Sequence, residues 1–397
     1  MRTIATAPPR AGTATLSVLL AVSACHMLND VMQSLLASLY PLLKTNYDLD
    51  FVQIGLLTMA FQVTASLLQP AVGVVADRWP MPYALPVGMA STLVGLVLLA
   101  HAGSFAMLVV AACLVGLGSS IFHPEASRVA RLASGGRHGF AQSLFQLGGN
   151  AGTAMGPLLA AFVVLPYGQK SIAWFAGIAL LGMIILTWTG RWYAAHRRSN
   201  AGRPAASRAL PLPRGKVLLA LGILILLTAT KNVYMASFSS YFTFYTIERF
   251  GLGVRDAQLM LFLFLGAAAL GTFAGGPIGD RFGARFVIWF SILGVIPFAL
   301  MLPYANLPFT GVLSVIIGLI LASAFPAIVV FAQELLPGRV GLVAGIFFGF
   351  AFGAGGLGAA LLGTIADTRG IGFVYEVISY LPILGVATIL LPKLKRA

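Results

Sequence analysis

The stretch GVVADRWP, residues 73–80, returns 203 residues later as GPIGDRFG, residues 276–283. In both copies a glycine stands four residues ahead of an Asp-Arg pair, and an apolar run leads into it. The duplication extends past these loops. Gly116 is matched by Gly318, Pro124 by Pro326, Arg137 by Arg339 and Gly139 by Gly341, all at an offset of 202. Matches at a common offset in similar contexts mark a repeat that covers most of the chain. Two parallel copies predict two halves that flank a central path.

The segments around these loops fix the medium. Of 397 residues, 59% are hydrophobic and only 9% are charged. A soluble domain carries about 25% charged residues, so too little charge is present to cover a water-facing surface. Apolar runs long enough to cross a bilayer recur from Leu16 to Leu391. Lipid permits only helices or a closed barrel, and the runs are continuous rather than alternating, so helices are expected. We place twelve spans at 16–43, 52–76, 83–101, 104–131, 139–166, 170–194, 217–247, 255–279, 284–303, 308–334, 340–366 and 370–392. Residues 195–216, AHRRSNAGRPAASRALPLPRGK, are polar, basic and rich in Pro, Ala and Gly. They read as a linker between an N-terminal half, 1–194, and a C-terminal half, 217–397. The first apolar run holds His26, Asn29 and Asp30 and lacks a clear cleavage site, so it reads as a retained span.

A net charge of +14 invites a nucleic-acid reading. The distribution of that charge argues against it. With the N-terminus inside, nineteen Lys and Arg residues fall on the inner side, five on the outer side, and Lys231 inside the seventh span. This is the bias that sets membrane topology. It predicts a multi-pass membrane protein with both termini and the linker in the cytoplasm. Cys25 and Cys113 both lie in apolar runs and imply neither a disulfide framework nor a zinc site.

Twelve spans, the duplicated Gly-x-x-x-Asp-Arg loop and the central basic linker resemble the major facilitator superfamily. The stretches HMLNDVMQSLLASLYPLL, SLLQPAVGVVADRWPMPYALPVGM, GSSIFHPEASRVARLASGGRHGFAQSLFQLGGN and FAQELLPGRVG resemble its fosmidomycin-resistance branch of bacterial efflux transporters. The resemblance implies a proton-driven antiporter that exports a small drug, fosmidomycin being an anionic phosphonate. It also implies that Asp77 with Arg78, and Asp280 with Arg281 and Arg285, form an inner latch that breaks as the halves rock. Two departures stand out. The first loop continues as Trp79-Pro80-Met81-Pro82 and lacks the further basic residues that Arg285 supplies in the second. The fourth span has Ala112 where many proton-coupled members carry an arginine, so other groups must do the coupling.

The polar residues inside the spans are the candidates, because each is costly in lipid. His26, Asn29, Asp30 and Gln33 share one face of span one. Asp30 lies nearer the bilayer centre than Glu125 and is the leading candidate for the proton carrier. His123 and Glu125 in span four are candidates for a relay or second site, and Arg128, three residues past Glu125, for its partner. Pro124 between them removes a backbone donor and should kink the helix. Span seven answers with Lys231, Asn232 and Tyr234. Lys231 stands opposite Asn29 in the repeat, with no acid in its own span, so its partner is expected to be Asp30 or an anionic substrate. Gln146 and Asn150 in span five are further candidates for lining the path. Gly148, Gly152 and Gly156 in span five, and Gly341, Gly345, Gly349 and Gly353 in span eleven, leave grooves for close helix packing. Static packing and gating are equally compatible with them.

An importer or uniporter on the same fold is the alternative, since fold gives neither direction nor substrate. An enzyme is not expected. His26, His123 and Glu125 show no metal-site spacing, and no phosphate-binding Gly-x-x-x-x-Gly-Lys-Ser/Thr loop occurs. We therefore expect a monomer in membrane lipid with no cofactor, no resident metal ion and no nucleic-acid partner.

Overall fold

Surrounded by hydrocarbon, each apolar run can satisfy its backbone only by closing its own hydrogen bonds. In the computed structural model, which describes residues 15–49, 51–199 and 210–394, the runs are helices throughout and the described residues contain no strand. The middle of the expected linker, 200–209, and both chain ends lie outside the described residues.

The N-terminal half begins with α1 (Leu16–Ser38), followed by a short helix, Tyr40–Tyr47. Then come α2 (51–78), α3 (Ala84–Ala100), α4 (Phe105–Ala133), α5 (138–167) and α6 (Gln169–Ser199). The second half repeats the order as α7 (Arg214–Phe250), α8 (Val254–Phe282), α9 (Ala284–Tyr304), α10 (Leu307–Leu335), α11 (Val340–Arg369) and α12 (Ile371–Leu390). Among the described residues, ten helices are long and apolar enough to cross a membrane, and α3 is a shorter apolar one. Within the first half α1 packs on α5, and α3 packs on α4. Within the second half α7 packs on α11 in the same way. The arrangement is two six-helix halves of like topology, as the repeat predicts.

Two seams join the halves, α2 against α11 and α5 against α8. At both, backbone meets backbone. A Cβ on Gly73 would overlap the Gly341 carbonyl, and one on Gly276 would overlap the Gly139 carbonyl. These glycines flank the duplicated loops, so the seams are tight at the end of the bundle that carries those loops. The molecule is closed at the loop end.

The glycine rows now separate into two kinds. Gly148 and Gly152 in α5 lie against the Ser23 and Met27 carbonyls of α1, in the same half. Gly345 and Gly349 in α11 lie against the Gln69 and Ser66 carbonyls of α2, in the other half. The α5 row is packing inside one rigid half, and the α11 row lines a surface between halves.

Candidate functional site

Where α1, α4 and α5 meet, His26, Asp30 and His123 converge. His26 is one turn before Asp30 on α1, and its Nε2 lies 3.4 Å from Asp30 Oδ2. His123 arrives from α4 with its Nε2 3.6 Å from Asp30 Oδ1. All three side chains are nearly removed from solvent. Each imidazole is anchored from behind. His26 Nδ1 donates to the Phe145 carbonyl of α5 at 2.7 Å, and its ring stacks on Phe145 at 4.0 Å. His123 Nδ1 lies 3.0 Å from the Ser119 carbonyl. The amides of Asn29 and Gln33 donate to Asp30 Oδ1 at 3.1 and 3.2 Å. Gln33 in turn accepts from Ser119 Oγ at 2.9 Å. The polar face of α1 is therefore one network tied to α4 and α5. The ligand atoms of His26, Asp30 and His123 lie within 4.8 Å of one another, close enough to share a cation or protons.

Glu125 is not part of this network, although it is two residues from His123. It points to the other side of α4, where Arg128 Nη1 lies 3.6 Å from Glu125 Oε1 and 3.8 Å from Asp77 Oδ1. Arg128 also donates to the Ala76 carbonyl. Glu125 borders a crevice of about 680 Å³, otherwise largely apolar and lined by Val72, Val75, Tyr83, Val87 and Ile121. That crevice lies outside the three-residue cluster.

The other half presents a different surface. Lys231 on α7 is buried, and among the described residues no carboxylate pairs with it. Its ammonium sits 5.2 Å from the Phe325 ring centroid. Phe325 is the repeat counterpart of His123. Phe348 of α11 joins the two sides, with its ring 5.3 Å from Phe325 and 5.4 Å from His123. Lys231 thus reaches the acidic cluster through aromatic rings rather than by an ion pair with Asp30. Asn232 turns back on its own helix, donating to the Thr228 carbonyl at 2.7 Å. Tyr234 is buried among Phe238 and its neighbours, away from the cluster. Asn150 reaches across the second seam to Thr272 Oγ1 at 3.3 Å, and Gln146 is half-buried beside it on α5.

The duplicated loops act through their aspartates. Asp77 accepts from the backbone N–H groups of Gly341 and Leu342, both at 2.9 Å, at the start of α11. Asp280 accepts from those of Gly139 and Phe140, both at 2.8 Å, at the start of α5. Each carboxylate caps a helix of the opposite half, where backbone donors and the helix dipole favour an anion. The arginines lie elsewhere. Arg78 stands over Trp79, Arg281 over Phe282 and Arg285 over Trp289. Arg131, which sequence reasoning missed, donates to Gln333 Oε1 at 2.9 Å across the halves. The two are separated by 202 residues, the repeat offset itself, and equivalent residues can touch only near the axis relating the halves. Ser119, Phe145 and Phe348 were missed as well.

Asp280→Asn keeps one acceptor and loses the charge. The closed seam is expected to lose about 1–2 kcal/mol, which raises the parted population about five- to thirtyfold. Spin-label distances between the two loops check this, and an unchanged distribution contradicts it. Turnover falls while ligand affinity is kept.

The comparisons agree with this geometry. The chain is 59% identical over 375 residues to the fosmidomycin resistance protein of Escherichia coli (strain K12), covering 94% of this chain and 92% of that one. It is 39% identical over 384 residues to an uncharacterized MFS-type transporter, YfnC, of Bacillus subtilis (strain 168), covering 96% and 94%. The crystal structure of the major facilitator transporter FucP in its outward conformation superposes with a TM-score of 0.74 at 16% identity, covering 94% of this chain and 98% of that one. The profile of the Major Facilitator Superfamily matches residues 22–360 and 232–395. A duplicated twelve-helix bundle, its halves clasped by capping aspartates around a buried polar cluster, is a multi-pass membrane transporter and not an enzyme, and the chain belongs to the Major Facilitator Superfamily.

Proposed function

We propose that the chain exports small anionic drugs of the fosmidomycin type from the bacterial cytoplasm in exchange for protons. The observation that carries this reading is Lys231, a buried cation without a counter-ion among the described residues, linked through Phe325 and Phe348 to the His26–Asp30–His123 cluster. A site of this kind pairs an anionic ligand with one half and protons with the other. The relative named for fosmidomycin resistance supports the phosphonate.

The chain works as a monomer in the lipid of the inner membrane. Residues 1–194 and 217–397 rock as units, the basic linker 195–216 and both termini remain cytoplasmic, and the loop end faces the cytoplasm. The conformation described above is then closed to the cytoplasm. Asp30 and His123 form the coupling site, with Glu125 as a second acid that senses the loop through Arg128 and Asp77. Lys231 holds the phosphonate. His26, Asn29, Gln33, Asn232, Tyr234, Gln146 and Asn150 shape or support the path. Asp77 and Asp280, with Arg78, Arg128, Arg281 and Arg285 near them, govern closure at the cytoplasmic end.

Drug susceptibility of cells expressing the chain tests the reading, across phosphonates, cationic dyes and sugar analogues. Protection against fosmidomycin is expected. Lys231→Ala removes charge-assisted contacts worth about 1.5–3 kcal/mol, so phosphonate affinity falls about ten- to hundredfold. Neutral compounds lose little. Equal losses for charged and neutral compounds contradict the assignment, and sensitisation to sugar analogues without protection against any compound points to an importer or uniporter.

A further inference from the structure

Resting on the proton-exchange reading, we infer that the protons travel on the two imidazoles, one each on His26 and His123, while Asp30 stays ionised between them as their shared counter-charge. The reasoning starts from the far side of each ring. The group 2.7 Å from His26 Nδ1 is the Phe145 carbonyl, and the group 3.0 Å from His123 Nδ1 is the Ser119 carbonyl. The Ser119 hydroxyl also lies 3.3 Å from His123 Nδ1, but it gives its one hydrogen to Gln33 Oε1 and so presents only an acceptor to the ring. A carbonyl oxygen can only accept, so each Nδ1 carries a hydrogen in every state of the site. Each Nε2 then faces Asp30 with a lone pair when the ring is neutral and with an N–H when it is charged. A neutral ring aims its lone pair at a carboxylate oxygen 3.4 or 3.6 Å away. His123 Nε2 is buried and has no hydrogen-bond partner among the described residues. Protonation converts both contacts from opposed lone pairs into ion pairs.

Asp30 is suited to the fixed charge. Its Oδ1 already accepts from the Asn29 and Gln33 amides, and each imidazole addresses a different oxygen. Among the described residues no other charged group pairs with these three. The side chains of Phe122 on α4, Phe145 on α5, and Phe348 and Phe352 on α11 place uncharged rings around the imidazoles. Lys231 is kept from His123 by Phe325 and Phe348. The loaded site therefore holds two imidazolium ions against one carboxylate, with no bond made or broken except N–H. It releases two protons when the half turns to the cytoplasm. His26 is thereby a proton carrier rather than a ligand contact.

Two measurements on the purified full chain test this, both with EDTA present. In proteoliposomes with the membrane potential clamped at zero, a pH difference of about one unit should hold a fosmidomycin ratio of about 100-fold in the wild type. His26→Gln and His123→Gln should each hold about tenfold. A tenfold wild-type ratio, or ratios unchanged in both variants, overturns the inference. Dependence on a metal ion, seen as coupling lost on chelation, overturns it as well. The second measurement needs no transport. Nitrogen-15 histidine spectra should show Nε2 of both residues gaining hydrogen on acidification while Nδ1 keeps its own. An infrared band of a protonated carboxyl that disappears in Asp30→Asn overturns the inference even if the spectra agree. If no pH gradient moves fosmidomycin at all while the spectra behave as expected, the export reading fails and the two-imidazole site stands.

Discussion

Asp30→Asn abolishes pH-driven accumulation of drug while exchange of labelled for unlabelled drug across the membrane continues. The carboxylate is the only acid beside His26 and His123 among the described residues, with both Nε2 atoms within 3.6 Å of it. Removing one partner of a buried ion pair costs about 3–5 kcal/mol. A pH difference of about one unit supplies only about 1.4 kcal/mol per proton. Loading the site thus becomes more costly than the gradient can offset, and the transporter turns over without coupling. Asparagine keeps the shape and the acceptor for the Gln33 amide, so the packing of α1 on α4 and α5 is preserved. Counterflow separates this outcome from misfolding, since a misfolded chain shows neither process. If Asp30→Asn still concentrates drug and Glu125→Gln does not, the coupling acid is Glu125 beside Arg128.

Gly73→Val traps the transporter with its loop end open and stops transport altogether. At this seam the Gly73 and Gly341 backbones touch, and the contact on a new side chain is a carbonyl, which cannot rotate away as a flexible side chain would. Overpacking a close contact costs about 1–3 kcal/mol even where side chains can give. Here the cost falls only on the closed state, because the parted state has no partner at that point. The Asp77 caps on Gly341 and Leu342 are lost with the seam. Gly276→Val acts the same way at the second seam, against the Gly139 carbonyl and Ser143. Gly222, beside which an added Cβ meets nothing within 4 Å, supplies the control. Cysteines near Gly139 and Gly341 report the trap, through faster labelling from the loop side in Gly73→Val than in Gly222→Val.

The repeat carried most of the fold. An offset of 202 or 203 paired the loops, and the apolar runs between them became the helices, since lipid leaves a long apolar run little choice. The face of α1 was also legible, because 26, 29, 30 and 33 fall on one side of any helix. What surrounds that face was not. His123 and Glu125 are two residues apart and looked like one group, yet a helix turns about 200° over that interval, which sends them to opposite sides of α4. Phe348 gave no signal, being one of 27 phenylalanines. The anchoring of each imidazole by a main-chain carbonyl depends on helix contacts that no local pattern records. The two glycine rows have the same spacing, and only their neighbours tell packing within α1–α5 from the seam between α2 and α11.

The central claim is that proton entry drives drug export, and everted membrane vesicles test it most directly. With the vesicle interior acidified by about one pH unit and the potential clamped, labelled fosmidomycin should enter and concentrate in vesicles that contain the wild-type chain. Collapse of the gradient should release it, and Asp30→Asn vesicles should only equilibrate. Accumulation that ignores the pH difference, or equilibration alone in the wild type, contradicts the account.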